Sequence, residues 1–348
     1  MYFQAALKLR RDFYQNTPHI DLLRSYINIG SCYSREGRHL DALRYYDSAD
    51  VREEAFMVFP YIYNSVKKAE SLLELGSLSQ GQIQLENAYQ QVHKIAKGEI
   101  RPDPVSLAKA SKFLYDLMVN YAANLQRQKR FAEALQKGIE GLELVRTFGP
   151  PSDSSFQLAM LFLTLGNIAQ DSAKEAISPN LVYPVAHGYY DQAITYFAAA
   201  GNVVEIILTL SNKGSIYEKA GDYQKAESSL RDAIGLLNRF FAGNNPQSLP
   251  LIINLGTVLA RQGRYDEALA AYQNALAKID SNAASRKMLP DIQGLYKKYD
   301  QSLVLLGSLG RLHLWLAEKN PQHVEASQTS YDSLASLINF VRANLIDD

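Results

Sequence analysis

The stretch Ile252-Ile253-Asn254-Leu255-Gly256-Thr257-Val258-Leu259 decides the fold, because its spacing of small and large residues recurs along the chain. Gly256 is followed, at offsets of 7, 12, 16 and 19 residues, by Gly263, Ala268, Tyr272 and Ala275. Gly30 and Gly214 are followed by the same small, small, large, small order at the same offsets. Each copy predicts two antiparallel helices, A and B, and the second glycine ends helix A in the left-handed region.

Weaker copies of this pattern are centred on Ala69, Ala122 and Gly166, which gives six repeats over residues 16–280. In the Gly166 copy we align helix B on Ala193, Phe197 and Ala200. That alignment needs 15 extra residues, which we place near 171–185 as an extended helix A and an inserted loop. The periods between small residues are 39, 53, 44, 48 and 42, all longer than the repeat of about 34 residues in the commonest helix-pair family.

The two ends of the chain differ from the repeats between them. In residues 1–15, Phe3 and Ala6 stand where helix B of a preceding, truncated repeat would place its aromatic and small residues. A lone N-terminal capping helix is the alternative. Residues 281–348 predict a C-terminal pair of long helices, Asp291–Ala317 and Val324–Leu345. We therefore expect an all-α, right-handed α-solenoid of antiparallel helix pairs, with about 14–15 helices.

These repeats resemble the tetratricopeptide repeat (TPR) family, whose pattern is large–Leu–Gly–aromatic in helix A and Ala–aromatic–Ala in helix B. Their length is similar to that of a longer subclass of about 42 residues, found in kinesin light chains, peptide-sensing bacterial regulators and proteins with a caspase-like CHAT domain. The C-terminal part resembles the TPR region that precedes a CHAT protease domain. The family's catalytic His and Cys would lie in that domain, so no residue of this chain inherits their roles.

Composition and motifs exclude several functions. The 36 basic residues balance 36 acidic residues, which argues against direct nucleic-acid binding through phosphate neutralisation. No apolar run is long enough for a membrane span. The one cysteine, Cys32, rules out a disulfide framework and is expected to be a buried packing thiol. No nucleotide-binding loop, nucleophile elbow or metal-binding spacing of histidines occurs. We therefore predict no enzyme activity, no metal site and no cofactor in this chain.

Two rows of polar residues on helices A form the candidate binding surface. Two positions before the small residue of four repeats stand Asn28, Asn120, Asn212 and Asn254. Seven residues further along the same helices stand Arg35, Arg127, Lys219 and Arg261. Seven residues is close to two helical turns, so each Asn shares a face with its basic partner.

These two rows suggest a ligand and also have structural explanations. An Asn amide can pair with both groups of a peptide bond, as in peptide-binding members of the similar families, and the basic row favours an acidic peptide or a terminal carboxylate. Alternatively, the Asn residues bond neighbouring backbone between repeats. The basic residues would then be favoured simply by the dipole at the helix C-terminus.

The predicted function is a protein- or peptide-binding solenoid that grips an extended partner in its concave groove. The resemblance implies that it is the regulatory or sensor segment of a larger protein, such as a TPR-CHAT protease, with an attached or associated protease-like domain. A free-standing adaptor or assembly scaffold, and the sensor half of a TPR transcription regulator, are the alternatives. Lacking a signal peptide, the chain is expected in the cytoplasm.

Overall fold

The regular structure of the chain is helical throughout its described part, as predicted. The computed structural model describes residues 2–284 apart from 16, 18, 50–57, 102–103, 149–154, 177–178, 242–244 and 246–247, and then residues 304, 307–313, 316 and 323–333. The helices are α1 (Tyr2–Tyr14), α2 (Ile20–Arg35), α3 (His39–Ser48), α4 (Val58–Glu74), α5 (Leu78–Ala96), α6 (Pro104–Arg127), α7 (Phe131–Phe148), α8 (Ser155–Ala173), α9 (Pro179–Ala199), α10 (Val203–Lys219), α11 (Tyr223–Phe240), α12 (Ser248–Arg261) and α13 (Tyr265–Ala284). Residues 307–313 and 323–333 are helical as well.

The helices pack as successive A/B hairpins within two compact units, Met1–Asn202 and Val203–Asp348. In the first unit the hairpins are α2–α3, α4–α5, α6–α7 and α8–α9, and each helix A also contacts the next helix A. In the second unit they are α10–α11 and α12–α13, with α10 touching α12. Each unit is therefore a stack of helix pairs whose apolar faces are shared between neighbours, which is the principle of an α-solenoid.

Helices A end where the sequence predicts. Gly37, Gly76, Gly221 and Gly263 all have positive φ, between 75° and 80°. At the first of these ends the amide of Arg38 donates to the Tyr33 carbonyl at 2.9 Å, the six-to-one bond of a glycine-terminated helix. The α6–α7 turn has no glycine, and Lys129 takes this position with φ 61°. A side chain is thus held in a conformation that costs it about 1–2 kcal/mol.

The glycines inside helices A receive a large side chain from helix B. A Cβ added at Gly30 would lie 2.5 Å from Tyr46 Cε1, and one added at Gly256 would lie 2.6 Å from Tyr272 Cε1. Both tyrosines are buried, and burying such a ring contributes about 1.5–3 kcal/mol. The offset of 16 residues between these partners is therefore a direct contact between the two helices of a repeat.

The same contact corrects our alignment of the Gly166 repeat. Its partner is Tyr190, whose ring would lie 2.5 Å from a Cβ at Gly166. Ala186, Tyr190 and Ala193 are fully buried, whereas Ala200 is exposed. Helix B is therefore aligned on Ala186, seven residues earlier than we predicted, and the insertion is 8 residues instead of 15.

The inserted loop that we expected near 171–185 is largely helix. Helix α8 continues to Ala173 and α9 begins at Pro179. Compared with the Gly256 repeat, two of the 8 extra residues lengthen helix A, two lie in the turn and four lengthen helix B at its N-terminus. Pro179 is the first residue of α9, where its missing N–H costs nothing. The sequence misled us because Ala193, Phe197 and Ala200 repeat the spacing of Ala186, Tyr190 and Ala193 one heptad later.

A further hairpin of the repeat type follows α13. A Cβ at Gly310 would lie 2.8 Å from Tyr331 Cζ, and the Ser327 hydroxyl donates to the Gly310 carbonyl at 3.1 Å. Residues 307–313 and 323–333 thus pack as helix A packs on helix B elsewhere. Most of the predicted helix Asp291–Ala317 and the end of Val324–Leu345 fall outside the described residues.

Helix α1 packs on α2 but leaves much of its apolar surface exposed. Leu7 is buried in the α1–α3 cluster, and the guanidinium of Arg11 donates to the Tyr26 hydroxyl at 2.8 Å. Tyr2, Phe3 and other large apolar side chains of this helix are exposed. The two interpretations of residues 1–15, a helix B of a truncated repeat and a lone cap, both stay predictions.

Candidate functional site

The two polar rows lie on helices A, as the sequence predicts for them. Each member of the basic row is the last residue of its helix: Arg35 of α2, Arg127 of α6, Lys219 of α10 and Arg261 of α12. All four are exposed. A cation at this position is stabilised by about 0.3–1 kcal/mol through the helix dipole alone. The basic row therefore has a structural explanation whether or not it binds a ligand.

Two residues of the Asn row are not used to hold the fold together. Asn28 is exposed and Asn254 is half-buried, and neither makes a hydrogen bond within the described part of the chain. Asn120 differs, because its amide donates to the Asp116 carbonyl at 2.8 Å and to Glu70 Oε1 at 3.2 Å. Asn212 is half-buried on α10. The row thus combines amides that are available to a ligand with one that is already engaged.

Two asparagines outside this row also bond between repeats, as Asn120 does with Glu70. Asn64 is buried on α4, and its amide donates to the Tyr46 carbonyl of the preceding repeat at 2.9 Å. Asn124 is fully buried on α6 and donates to Gln82 Oε1 of α5 at 3.0 Å. Because buried polar groups must be paired, these two side chains have a structural role. They stand at other positions of the repeat than Asn28 and Asn254.

Acidic side chains lie beside the basic row. Arg127 Nη2 is 3.4 Å from Glu74 Oε1, and Arg261 Nε is 3.5 Å from Glu218 Oε1. In the second repeat Glu74 stands at the position that a basic residue occupies in the four repeats of the row. Arg127 and Glu74, at equivalent positions of neighbouring repeats, therefore form a pair of opposite charges. Arg35 is the member of the row without an ion pair among the described residues. The face is therefore mixed in charge and not a basic stripe.

The repeats that break the two rows carry a polar network instead. Lys67, at the Asn position of the second repeat, pairs with Glu70 at 2.8 Å. Burial alone would lower the pKa of this ammonium group, but Glu70 outweighs burial and the pKa is raised. In the fourth repeat Asp171 accepts from the Gln126 amide of α6 at 2.7 Å. Neighbouring helices A are thus joined by polar side chains that also line the candidate surface.

A second concave site lies between helices B, at α5 and α7. A cavity of about 700 Å³ is lined there by Tyr89, His93, Lys97, Lys137, Glu140 and further residues. The Lys137 ammonium lies 4.1 Å from the centroid of the Tyr89 ring and 2.8 Å from Glu140 Oε2. Burial and the bond to Glu140 raise the pKa of the Tyr89 hydroxyl. Sequence reasoning missed this site, because its residues come from helix B surfaces without a repeated pattern.

No group of three or more metal-ligating side chains occurs among the residues that the structure describes. Two histidines that are ten residues apart in sequence do meet, however: His313 Nδ1 is 3.0 Å from His323 Nδ1. The sequence does not predict this pair, because the two side chains come close only when the hairpin folds. Cys32 is half-buried, more exposed than we expected. Within the described chain no helix is long and apolar enough to cross a membrane.

Comparison with known proteins supports a TPR protein. A tetratricopeptide repeat family model matches residues 205–278, which covers the α10–α11 hairpin and most of α12–α13. No curated protein matches the chain. Among solved structures, a Signal Transduction ATPase with Numerous Domains from Pyrococcus horikoshii, which has a tetratricopeptide repeat sensor, aligns with TM-score 0.63 and 13% identity. That alignment covers 94% of this chain and 43% of the other.

Two further structures share the fold. BtubC from P. vanneervenii has TM-score 0.55 and 16% identity, with 77% of this chain and 95% of that chain covered. The apo form of RapI has TM-score 0.50 and 13% identity, with 81% and 99% covered. At such identities the likeness concerns the fold alone. The described chain is thus an all-helical solenoid of TPR type, a fold that suggests a scaffold for protein interactions.

Proposed function

We propose that this chain is a non-catalytic solenoid that binds an extended protein or peptide segment on the exposed face of its helices A. One observation carries the proposal. The amides of Asn28 and Asn254 bond none of the described residues, while Asn64 and Asn124 bond the neighbouring repeat. An unpaired amide on a helical surface can donate to a carbonyl and accept from an N–H of the same peptide unit.

The basic row adds a preference for carboxylates. This preference is weakened where a basic residue already pairs with an acidic residue of the chain. Arg35 is available, whereas Arg127 already contacts Glu74. An exposed ion pair of this kind contributes only about 0–1 kcal/mol, so a ligand carboxylate can replace Glu74 at small cost. We expect the bound peptide segment to contain acidic residues or a free C-terminus. Its binding should weaken as ionic strength increases.

We further propose that the chain is the regulatory or sensor segment of a larger protein, with a TPR-CHAT protease as the leading candidate. The Pyrococcus horikoshii protein supports a sensor role by analogy, because its tetratricopeptide repeats are described as a sensor and this chain aligns with 43% of its length. A free-standing adaptor and the sensor half of a transcription regulator are the alternatives. The reading frame on both sides of the segment distinguishes the three proposals.

A matched set of Asn variants tests peptide binding. Peptides are selected from a random library displayed on phage, and the affinity of the best one is measured by fluorescence anisotropy. Asn28→Ala together with Asn254→Ala removes one available amide from each unit. It should lower the affinity by about twofold to tenfold whichever unit holds the peptide, since a lost hydrogen bond is worth about 0.5–1.5 kcal/mol. The same double variant should keep the wild-type melting temperature.

Asn64→Ala is the control for a structural role. It removes a buried bond to the Tyr46 carbonyl, so it should lower the melting temperature while leaving the peptide affinity of the folded protein unchanged. N-methylation of the peptide backbone should weaken binding wherever an Asn pairs with it. If the double variant binds every selected peptide as tightly as the wild type does, the Asn row is not the binding surface and the proposal is wrong.

A further inference from the structure

The two histidines of the last described hairpin form a pair whose geometry the fold fixes. His313 is at the end of helical residues 307–313, and His323 is at the start of 323–333. The centroids of their rings are 5.2 Å apart, and the ring planes are inclined at 26° to each other. The Nδ1 atoms are 3.0 Å apart. Two ring nitrogens at this distance must share one proton or another cation, because two unprotonated lone pairs repel each other.

The packing of the hairpin holds these rings together. The Ser327 hydroxyl donates to the Gly310 carbonyl at 3.1 Å, and the Tyr331 ring fills the space beside Gly310. Both contacts lie within one helical turn or two of a histidine, on the same two helices. The separation of the two helices beside the histidines is therefore set by helix packing. Preorganisation of this kind favours binding of a ligand between the two rings.

From this geometry we propose that His313 and His323 together bind a divalent transition-metal ion, Zn²⁺ or Cu²⁺, through their Nδ1 atoms. In a tetrahedral zinc site with Zn–N bonds of about 2.0–2.1 Å, two ligand nitrogens stand about 3.3–3.4 Å apart. To bind the ion, the pair needs to open by a few tenths of an ångström and the rings need to turn until both lone pairs point at it. The metal ion then takes the place of the proton between the rings.

The imidazole side chain suits such an ion. A metal ion binds the neutral ring through one of its nitrogens. Imidazole nitrogen is a preferred ligand of both zinc and copper. Among the described residues no group of three ligating side chains exists, and the two imidazoles leave the remaining coordination positions to other ligands. The site is therefore of the open kind, and it links helices 307–313 and 323–333.

Copper and zinc binding to the whole chain tests the proposal. Isothermal titration calorimetry with Zn²⁺ should show one equivalent bound to the wild type. His313→Ala and His323→Ala should each weaken that binding by about tenfold or more, the usual effect of disturbing a metal site. His39→Ala is the matched control, because His39 lies on α3, where its ring contacts Ser34, and it should bind zinc as the wild type does. Electron paramagnetic resonance of the Cu²⁺ complex should show coupling to two nitrogens, and to one in either variant.

Two further variants and a folding check keep the result interpretable. His313→Asn and His323→Asn preserve a polar side chain of similar size, so they report on the ligand and not on packing. Circular dichroism confirms that each variant is folded before titration. Absence of zinc binding in the wild type would overturn the proposal. So would equal binding in wild type and both His313 variants, or dependence on only one histidine, which would mark an adventitious site.

Discussion

Replacing Gly256 by alanine should destabilise the protein, although alanine is the better helix former. On an open helical surface the change would gain about 1 kcal/mol. At Gly256 the new Cβ would lie 2.6 Å from Tyr272 Cε1, 2.9 Å from Cδ1 and 3.1 Å from Cζ. These atoms belong to a rigid ring that is 3% exposed, and its hydroxyl lies 3.0 Å from Thr257 Oγ1. The ring cannot move away from the new Cβ without losing that contact and its packing.

The magnitude follows from two opposing terms. Overfilling a packed interior costs about 1–3 kcal/mol, and the upper part of this range applies because ring atoms, not a flexible chain end, meet the Cβ. Subtracting the helix gain leaves a net loss of about 1–2 kcal/mol. Gly235 of α11 is the matched control, since a Cβ there meets nothing within 4 Å. Gly235→Ala should raise the free energy of unfolding by about 0.5–1 kcal/mol.

Urea unfolding followed by circular dichroism and by the fluorescence of the single tryptophan, Trp315, measures both variants. A double-mutant cycle with Tyr272→Ala isolates the contact: the ring deletion alone costs about 3–5 kcal/mol, and adding Gly256→Ala to it should cost nothing more. If Gly256→Ala stabilises the protein as much as Gly235→Ala does, the close approach of the two helices is not what holds the repeat together.

Three further predictions address the register, the turns and the charges. Ala186→Leu should lower the free energy of unfolding by about 1–3 kcal/mol, whereas Ala200→Leu should change it by less than about 0.5 kcal/mol; equal effects would restore our original alignment. Lys129→Gly should raise the free energy of unfolding by about 0.5–1 kcal/mol in urea titrations, because glycine carries no penalty at φ 61°. Burial disfavours the Glu140 carboxylate, but hydrogen bonds led by that of Lys137 outweigh burial and lower its pKa. Its stabilisation is therefore present above the ordinary value of 4.5 and is lost as pH falls further, so Glu140→Gln should flatten the decline in melting temperature below that pH.

The repeat could be predicted from sequence because each of its positions is set by local geometry. A glycine at offset 7 ends helix A whatever surrounds it, since only the left-handed region satisfies the last carbonyls. The small and large residues at offsets 12, 16 and 19 reflect one helix packing on its sequence neighbour. Where two such spacings overlap, as at Ala186 and Ala193, sequence gives no preference. Burial of Ala186 and exposure of Ala200 decide between them.

The candidate site was predictable only in part. The sequence placed Asn28 and Asn254 on helices A, but their availability depends on which other side chains reach them. Asn120 has the same position in the repeat and is engaged by Glu70. The carboxylates beside Arg127 and Arg261 could not be foreseen, because each lies on helix A of the preceding repeat. Pairing across repeats depends on how the helices pack.

The sequence by itself determined the helix-pair repeat, its helix ends and the positions of the two polar rows, because these follow from contacts between residues close in the chain. The tertiary structure alone decided which Asn amides are available, where charges are paired and how the Gly166 repeat is aligned. It also brought His313 and His323 within 3.0 Å of each other. Those features depend on which surfaces meet when hairpins fold and stack, and no spacing along a single helix encodes them.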